Sequence, residues 1–121
     1  MSLRLRPLGG QPVIVRPRSA DQFALDDAFV GRYHLPPPEL AGEQLDVIWD
    51  LGANIGLTMA HFARLYPQAV VIGLELDADN AELCGRNTAA WGDRCEIVHA
   101  AVWTEDGEVE YQRTRGEELS F

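Results

Sequence analysis

The stretch Asp46-Val47-Ile48-Trp49-Asp50-Leu51-Gly52-Ala53-Asn54-Ile55-Gly56 decides how the rest of the chain is read. Asp46 to Asp50 predicts a short buried strand, and Leu51 to Gly56 a turn punctuated by two glycines. Leu57-Thr58-Met59-Ala60-His61-Phe62-Ala63-Arg64-Leu65-Tyr66 predicts a helix that Pro67 ends. Val70-Val71-Ile72-Gly73-Leu74-Glu75 then supplies a second strand closed by an acid. Strand, turn, helix and strand make one parallel βαβ unit, whose crossover is right-handed in nearly every case. Such a unit receives its ligand at the carboxyl ends of its strands, beside the helix N-terminus. Gly52, Asn54, Gly56 and Glu75 fall there.

Downstream, Asp77-Ala78-Asp79-Asn80 opens a second helix that runs to Trp91, where Gly92 offers a C-cap. Ala81, Cys84, Thr88 and Trp91 lie along one of its faces. Cys95-Glu96-Ile97-Val98 predicts a third strand. Glu105-Asp106-Gly107-Glu108 is a hairpin-type turn, and Val109-Glu110-Tyr111-Gln112 returns from it as an edge strand. Residues 114–121 are polar and read as a frayed end. In the first helix Met59, Phe62, Ala63 and Tyr66 form the buried stripe. Leu57, His61, Arg64 and Gln68 share the opposite face, which points His61 to solvent. The second strand lacks alternation, and a continuous apolar run predicts burial on both faces.

Upstream, Gln11 to Arg16 predicts a short strand, and Ser19 caps a helix over 21–29. Gly31 to Pro38, with three consecutive prolines, predicts a loop. Residues 1–44 thus form a lead-in that packs on the core or roofs the site, and residues 45–121 a cofactor-binding domain. The fold class is α/β: a Rossmann-like three-layer sandwich with a mostly parallel sheet, cut short after the third core strand and a hairpin strand.

At 121 residues the chain is one domain, with 46% hydrophobic and 24% charged residues, as in ordinary globular proteins. A net charge of −9 argues against a nucleic-acid partner, since phosphate backbones are met by Lys and Arg clusters. No run approaches the length of a membrane span, and the N-terminus lacks the features of a signal peptide. The resulting expectation is a cytoplasmic protein with no membrane partner. Cys84 and Cys95 lack metal spacing and read as buried thiols, and no metal is expected.

The turn can be matched against known ligand chemistries. A dinucleotide fold wants G-x-G-x-x-G, but here the spacing is Gly52-x-x-x-Gly56, and Asn54 hinders a pyrophosphate. No Gly-Lys-Ser/Thr follows, which excludes a P-loop. Asp50-Leu51-Gly52-Ala53-Asn54-Ile55-Gly56 instead resembles the first motif of class I S-adenosylmethionine-dependent methyltransferases. Gly52 lets the chain turn sharply, Gly56 permits close approach at the helix start, and the positive helix end favours a carboxylate. Asp50 is placed to complement an ammonium or sulfonium, and Glu75 to accept both hydroxyls of a ribose. The competing readings are a turn-capping carboxylate for Asp50 and a solvated surface acid for Glu75.

Val47 to Leu57 looks like the core V-x-D-x-G-A-N-x-G of the FkbM methyltransferases. Glu75-Leu76-Asp77-Ala78-Asp79-Asn80, with Asn87 later, resembles that family's E-P-x-P-x-N…L-x-x-N, although Leu76 and Ala78 replace its prolines. Ala100-Ala101-Val102 and Asp106-Gly107-Glu108-Val109 resemble its A-A-V…G-x-V segment. Arg16 to Asp21 and Gly31-Arg32-Tyr33 are similar to lead-in motifs of some members. The resemblance covers residues 13 to 112. It implies methyl transfer from S-adenosylmethionine to a small-molecule acceptor, usually a hydroxyl of a sugar or polyketide. The cofactor would be held by Asp50, Gly52, Ala53, Asn54, Gly56, Glu75, Leu76 and Ala100, with His99 considered as a contact to the base.

The family's later I-K-I-D-x-E-G segment, ordinarily the fourth core strand, has no counterpart in this sequence. Its absence leaves the first core strand with an open backbone edge. A fragment, self-association through that edge, and a degenerate relative are the three explanations, in that order. His34, Asp21 and Asp26 are the candidates for a base, and none is assigned a catalytic role. A non-catalytic module that self-associates through the open edge is the alternative function; an NAD-dependent oxidoreductase fragment fits the glycine spacing least.

Overall fold

The computed structural model describes residues 1–40, 42–108 and 110–112. The chain opens with an antiparallel pair, β1 (Ser2–Arg4) and β2 (Pro12–Ile14). Helix α1 (Asp21–Asp26) follows and widens into a π-helical turn over Asp27–Gly31. The core is a parallel sheet of β3 (Val47–Leu51), β4 (Val70–Glu75) and β5 (Cys95–His99) in that spatial order. Its crossovers are α2 (Leu57–Leu65) and α3 (Ala78–Thr88), which pack on each other and on the sheet. This is a mixed α/β, Rossmann-like arrangement, as the βαβ reading requires.

Both crossover helices have identifiable ends. Asp77 caps α3, its Oδ1 accepting the Asn80 amide at 2.9 Å. At the end of α2, Pro67 blocks continuation and the Arg94 guanidinium donates to the carbonyls of Ala63, Tyr66 and Ala69. Of these, the Ala63 carbonyl belongs to the last turn of α2, where a helix terminus otherwise leaves acceptors without partners. Between helices and sheet lie Ala53, Met59, Ala63, Val71 and Cys84, all buried. Gly73 makes this layer thin: a Cβ there would stand 2.2 Å from Met59 Sδ and 2.9 Å from Ala53 Cβ. A bulkier residue there would have to displace the end of Met59 and the Ala53 methyl.

A second cluster lies on the far side of the helices, where Leu8, Val13, Val15 and Ala28 of the lead-in meet Ile55, Leu57, Ala60 and Leu83. Asn87, on α3, fastens it: Oδ1 accepts the Ile14 amide at 2.7 Å, and Nδ2 donates to the Ile14 and Ile55 carbonyls at 2.9 Å. Arg16 adds a second tie, donating to both carboxylate oxygens of buried Asp21 and to Asn80 Oδ1.

Several expectations need correction. His61 is 3% exposed, because the lead-in covers the face of α2 assigned to solvent. Burial along β4 alternates: Val71, Gly73 and Glu75 are buried, while Ile72 and Leu74 are only half-buried. The helices cover one face, and the other carries Val47, Trp49 and Leu51, which are 53%, 59% and 59% exposed. Two layers of the expected sandwich are thus present among the described residues. Residues 110–112 form no strand, and the rest of the expected hairpin strand, Val109, lies outside the described residues, as does the polar end over 114–121. Strand β1 was not foreseen. Ser19 sits one residue before the cap position of α1, accepting the Asp21 amide at 3.2 Å. Gly92 breaks a 3-10 turn over Ala89–Arg94 instead of capping α3 directly.

Candidate cofactor site

The glycine turn is built on three left-handed residues: Gly52 at φ 92°, Asn54 at 52° and Gly56 at 89°. Asparagine is among the few side chains that adopt this conformation readily. The amides of Gly52 and Ala53 both donate to the Leu74 carbonyl, at 2.9 and 2.8 Å, which ties the turn to the end of β4. The two glycines then serve different purposes. A Cβ on Gly52 would meet nothing within 4 Å, so the space beside it is open. A Cβ on Gly56 would lie 2.9 Å from Cys84 Sγ and 3.1 Å from the Cys84 carbonyl. Gly56 is therefore required for the approach of α2 to α3, and it faces no cavity.

Glu75 is not a solvated acid. It is 1% exposed, and its carboxylate accepts the Asn54 amide at 2.6 Å and the Asp77 amide at 3.1 Å. One buried acid thereby fixes both the glycine turn and the start of α3. A carboxylate has about four acceptor sites, so two remain beyond these bonds.

Asp50 accepts the Thr58 hydroxyl, spanning from the strand end to the first turn of α2. Burial pushes its pKa up, opposed by the Thr58 hydrogen bond and by His34. His34, from the loop before the prolines, lies against α2: its Nε2 and His61 Nδ1 are 2.8 Å apart, and its ring meets Phe62 edge-on at 5.1 Å. Burial lowers the His34 pKa, with Asp50 acting upward and Arg32 downward. Burial also lowers that of His61, to about 4, aided by His34, Arg32 and Arg64. A neutral pair sharing one hydrogen bond is the state this environment favours. The side chains of His34 and Asn54 each leave a buried polar atom without a partner, Nδ1 and Oδ1.

Two cavities meet at the turn. The larger, about 510 Å³, lies over the strand ends between Leu51, Gly52, Leu74, Glu75, Leu76 and the segment 100–103. The smaller, about 210 Å³, is roofed by the lead-in at Ala24, Ala28, Tyr33 and His34 and floored by the turn from Gly52 to Ile55. Gly52 lines both.

Of the expected site residues, Gly52, Glu75, Leu76 and Ala100 line the larger cavity, and Gly52, Ala53 and Asn54 the smaller. Asp50 stands beneath the turn and lines neither, and Gly56 is internal. Asp21 is taken up by Arg16, which removes it as a base. The His99 ring pairs with the Leu76 carbonyl at 2.8 Å, and of the two only Leu76 lines the larger cavity. The sequence reading did not bring Tyr33 or the His34–His61 pair to the turn. Their spacing from it, across a proline loop, carries no periodic signal. Among the described residues, no group of three or more His, Cys, Asp or Glu side chains could hold a metal ion, and no helix is long and apolar enough to cross a membrane.

No protein-family model matches the chain. It is similar to the rRNA N(6)-adenosine-methyltransferase metl-5 of Caenorhabditis elegans, 34% identical over 55 residues. The matched segment is 44% of this chain and 26% of that protein, so the likeness spans about a quarter of the relative's length. A methyltransferase is thus what part of this chain resembles.

Proposed function

We propose that the chain is the cofactor-binding part of an S-adenosylmethionine-dependent methyltransferase. The observation that carries this is the junction at Gly52, where a larger cavity over the strand ends adjoins a smaller one that holds the polar side chains of Tyr33, His34, Asn54 and Thr58. An adenosine with an amino-acid tail has that division. Glu75, with its two remaining acceptor sites, would take the ribose, while Leu76 and Ala100 bound the base. The turn from Gly52 to Asn54 would lie under the tail. The cofactor's chemistry is a sulfonium-activated methyl group. This chain's part is to bind and orient it: alignment of nucleophile, methyl and sulfur can supply several kcal/mol of the barrier reduction.

The narrower reading is an FkbM-type enzyme that methylates a hydroxyl oxygen of a small molecule such as a sugar or polyketide. Support comes from the quoted motifs and from the net charge of −9, which disfavours an RNA substrate such as the relative's name states. Titration calorimetry with S-adenosylhomocysteine and with NAD tests the cofactor reading. Binding of the first alone supports it; binding of NAD alone, or of neither, refutes it.

A second reading rests on the bare sheet face. Trp49, Val47 and Leu51 are exposed on β3, which is an edge strand of the sheet among the described residues. We propose that this edge associates with a second copy of the chain, which sedimentation over a concentration series would reveal.

A further inference from the structure

We infer that His34 and Asn54 read the two charges of the ligand's amino-acid tail, so that the lead-in, and not the glycine turn alone, selects a cofactor that carries one. This rests on the cofactor reading above and goes beyond it by assigning the smaller cavity to side chains. In the general pattern of class I methyltransferases, backbone groups receive the tail.

Two unmet hydrogen-bonding demands lie in one place. His34 Nδ1 and Asn54 Oδ1 are buried, lack hydrogen-bond partners among the described residues, and belong to residues that line the same cavity of about 210 Å³. Buried polar atoms are nearly always paired, and those left over in a binding cavity mark where a ligand or water completes the set. The two atoms are also of complementary kind. Asn54 Oδ1 only accepts, which suits an ammonium. Nδ1 of His34 can donate, which suits a carboxylate.

His34 Nε2 and His61 Nδ1 share one hydrogen at 2.8 Å. The neighbouring bond sets the donor state: Nδ1 of His34 carries a proton when His61 donates across that bond or when His34 is charged, and accepts when neutral His34 donates through Nε2. His61 thus acts as a positioning residue. Asp50 from β3, Arg32 from the lead-in loop and Arg64 from α2 act on the pair, and Asp27 and Tyr33 line the same cavity as His34. A bound carboxylate adds to Asp50 in favouring the protonated ring, so binding strengthens the donor it uses.

The test compares two ligands with a common adenosine: S-adenosylhomocysteine, which has the tail, and 5′-methylthioadenosine, which lacks it. Calorimetry on the wild type should show tighter binding of the first. His34→Phe, which keeps the ring packed on Phe62, should weaken S-adenosylhomocysteine by about ten- to a hundredfold, the size of one charge-assisted hydrogen bond. Methylthioadenosine affinity should stay within about twofold, which also reports that the variant is folded. Asn54→Gly, which keeps the left-handed backbone and removes Oδ1, should show the same selective loss. Equal affinities of the two ligands for the wild type, or equal changes of both in the variants, would overturn the inference. A wild type that binds neither ligand would overturn the cofactor reading itself.

Discussion

Replacing Glu75 by glutamine isolates what the buried acid contributes to the fold. The side chain keeps its shape, so cavity terms are negligible. Its oxygen can still accept the 2.6 Å bond from Asn54, but its NH2 then faces the Asp77 amide, donor against donor. A hydrogen bond to a charged group contributes about 1.5–3 kcal/mol, and stranding a buried amide costs about 1–3 kcal/mol. The two overlap, which leaves a loss of about 2–4 kcal/mol. With a urea slope of about 1.5 kcal/mol/M, the unfolding midpoint should fall by about 1–3 M. The control is Glu96→Gln, an exposed acid on β5, expected to stay within about 0.5 kcal/mol of wild type. Net charge predicts the opposite sign, because removing one negative charge from a chain at −9 eases self-repulsion. A Glu75→Gln midpoint equal to that of Glu96→Gln would refute the assignment of Glu75 as the tie between turn and α3.

The two glycines of the turn should fail differently. Gly56→Ala adds a left-handed strain of about 1–2 kcal/mol to an overpacking cost of about 1–3 kcal/mol against Cys84, so its thermal midpoint should fall by many degrees. Gly52→Ala carries the strain alone, and calorimetry should instead show its S-adenosylhomocysteine binding lost, because the new methyl fills the junction. Acid should weaken the fold through His61: held at about 4 when folded against 6.5 ordinarily, it contributes stability that is complete above pH 6.5 and lost as pH falls toward 4. Asp50, whose pKa is raised, acts in the opposite sense over its own range, and the net slope in urea titrations should shrink in His61→Phe. Cys84, pushed to about 12 by burial and nearby acids, should resist a disulfide reagent that labels the half-buried Cys95 first. If the β3 edge mediates association, Trp49→Lys should abolish any concentration dependence of the sedimentation coefficient.

The order of core elements was legible because apolar runs, a glycine turn and Pro67 mark them without help from distant residues. Asp77 and Glu75 were legible as types, since an acid at a strand end or helix start has few other uses. The purpose of Glu75 was not, because nothing local shows that two backbone amides converge on it. His61 was misread for a related reason. Helical periodicity finds one covered face, and α2 has two: Met59 and Ala63 toward the sheet, Leu57, Ala60 and His61 toward the lead-in. The alternation along β4 was masked by valine and leucine on both sides, which are apolar whether or not a layer covers them. Gly73 carries no local signal of its role among apolar neighbours, although Met59 occupies the space of its missing side chain.

Asn87 holds β2 and the carbonyl of Ile55 with a single amide group. The opening strand and the ligand loop therefore share one hinge pin, and neither can be transplanted without the other. An engineer who moved residues 46–77 into a new scaffold would receive a loop with one of its moorings cut. Residues 12–14 and the helix that carries Asn87 have to travel with it.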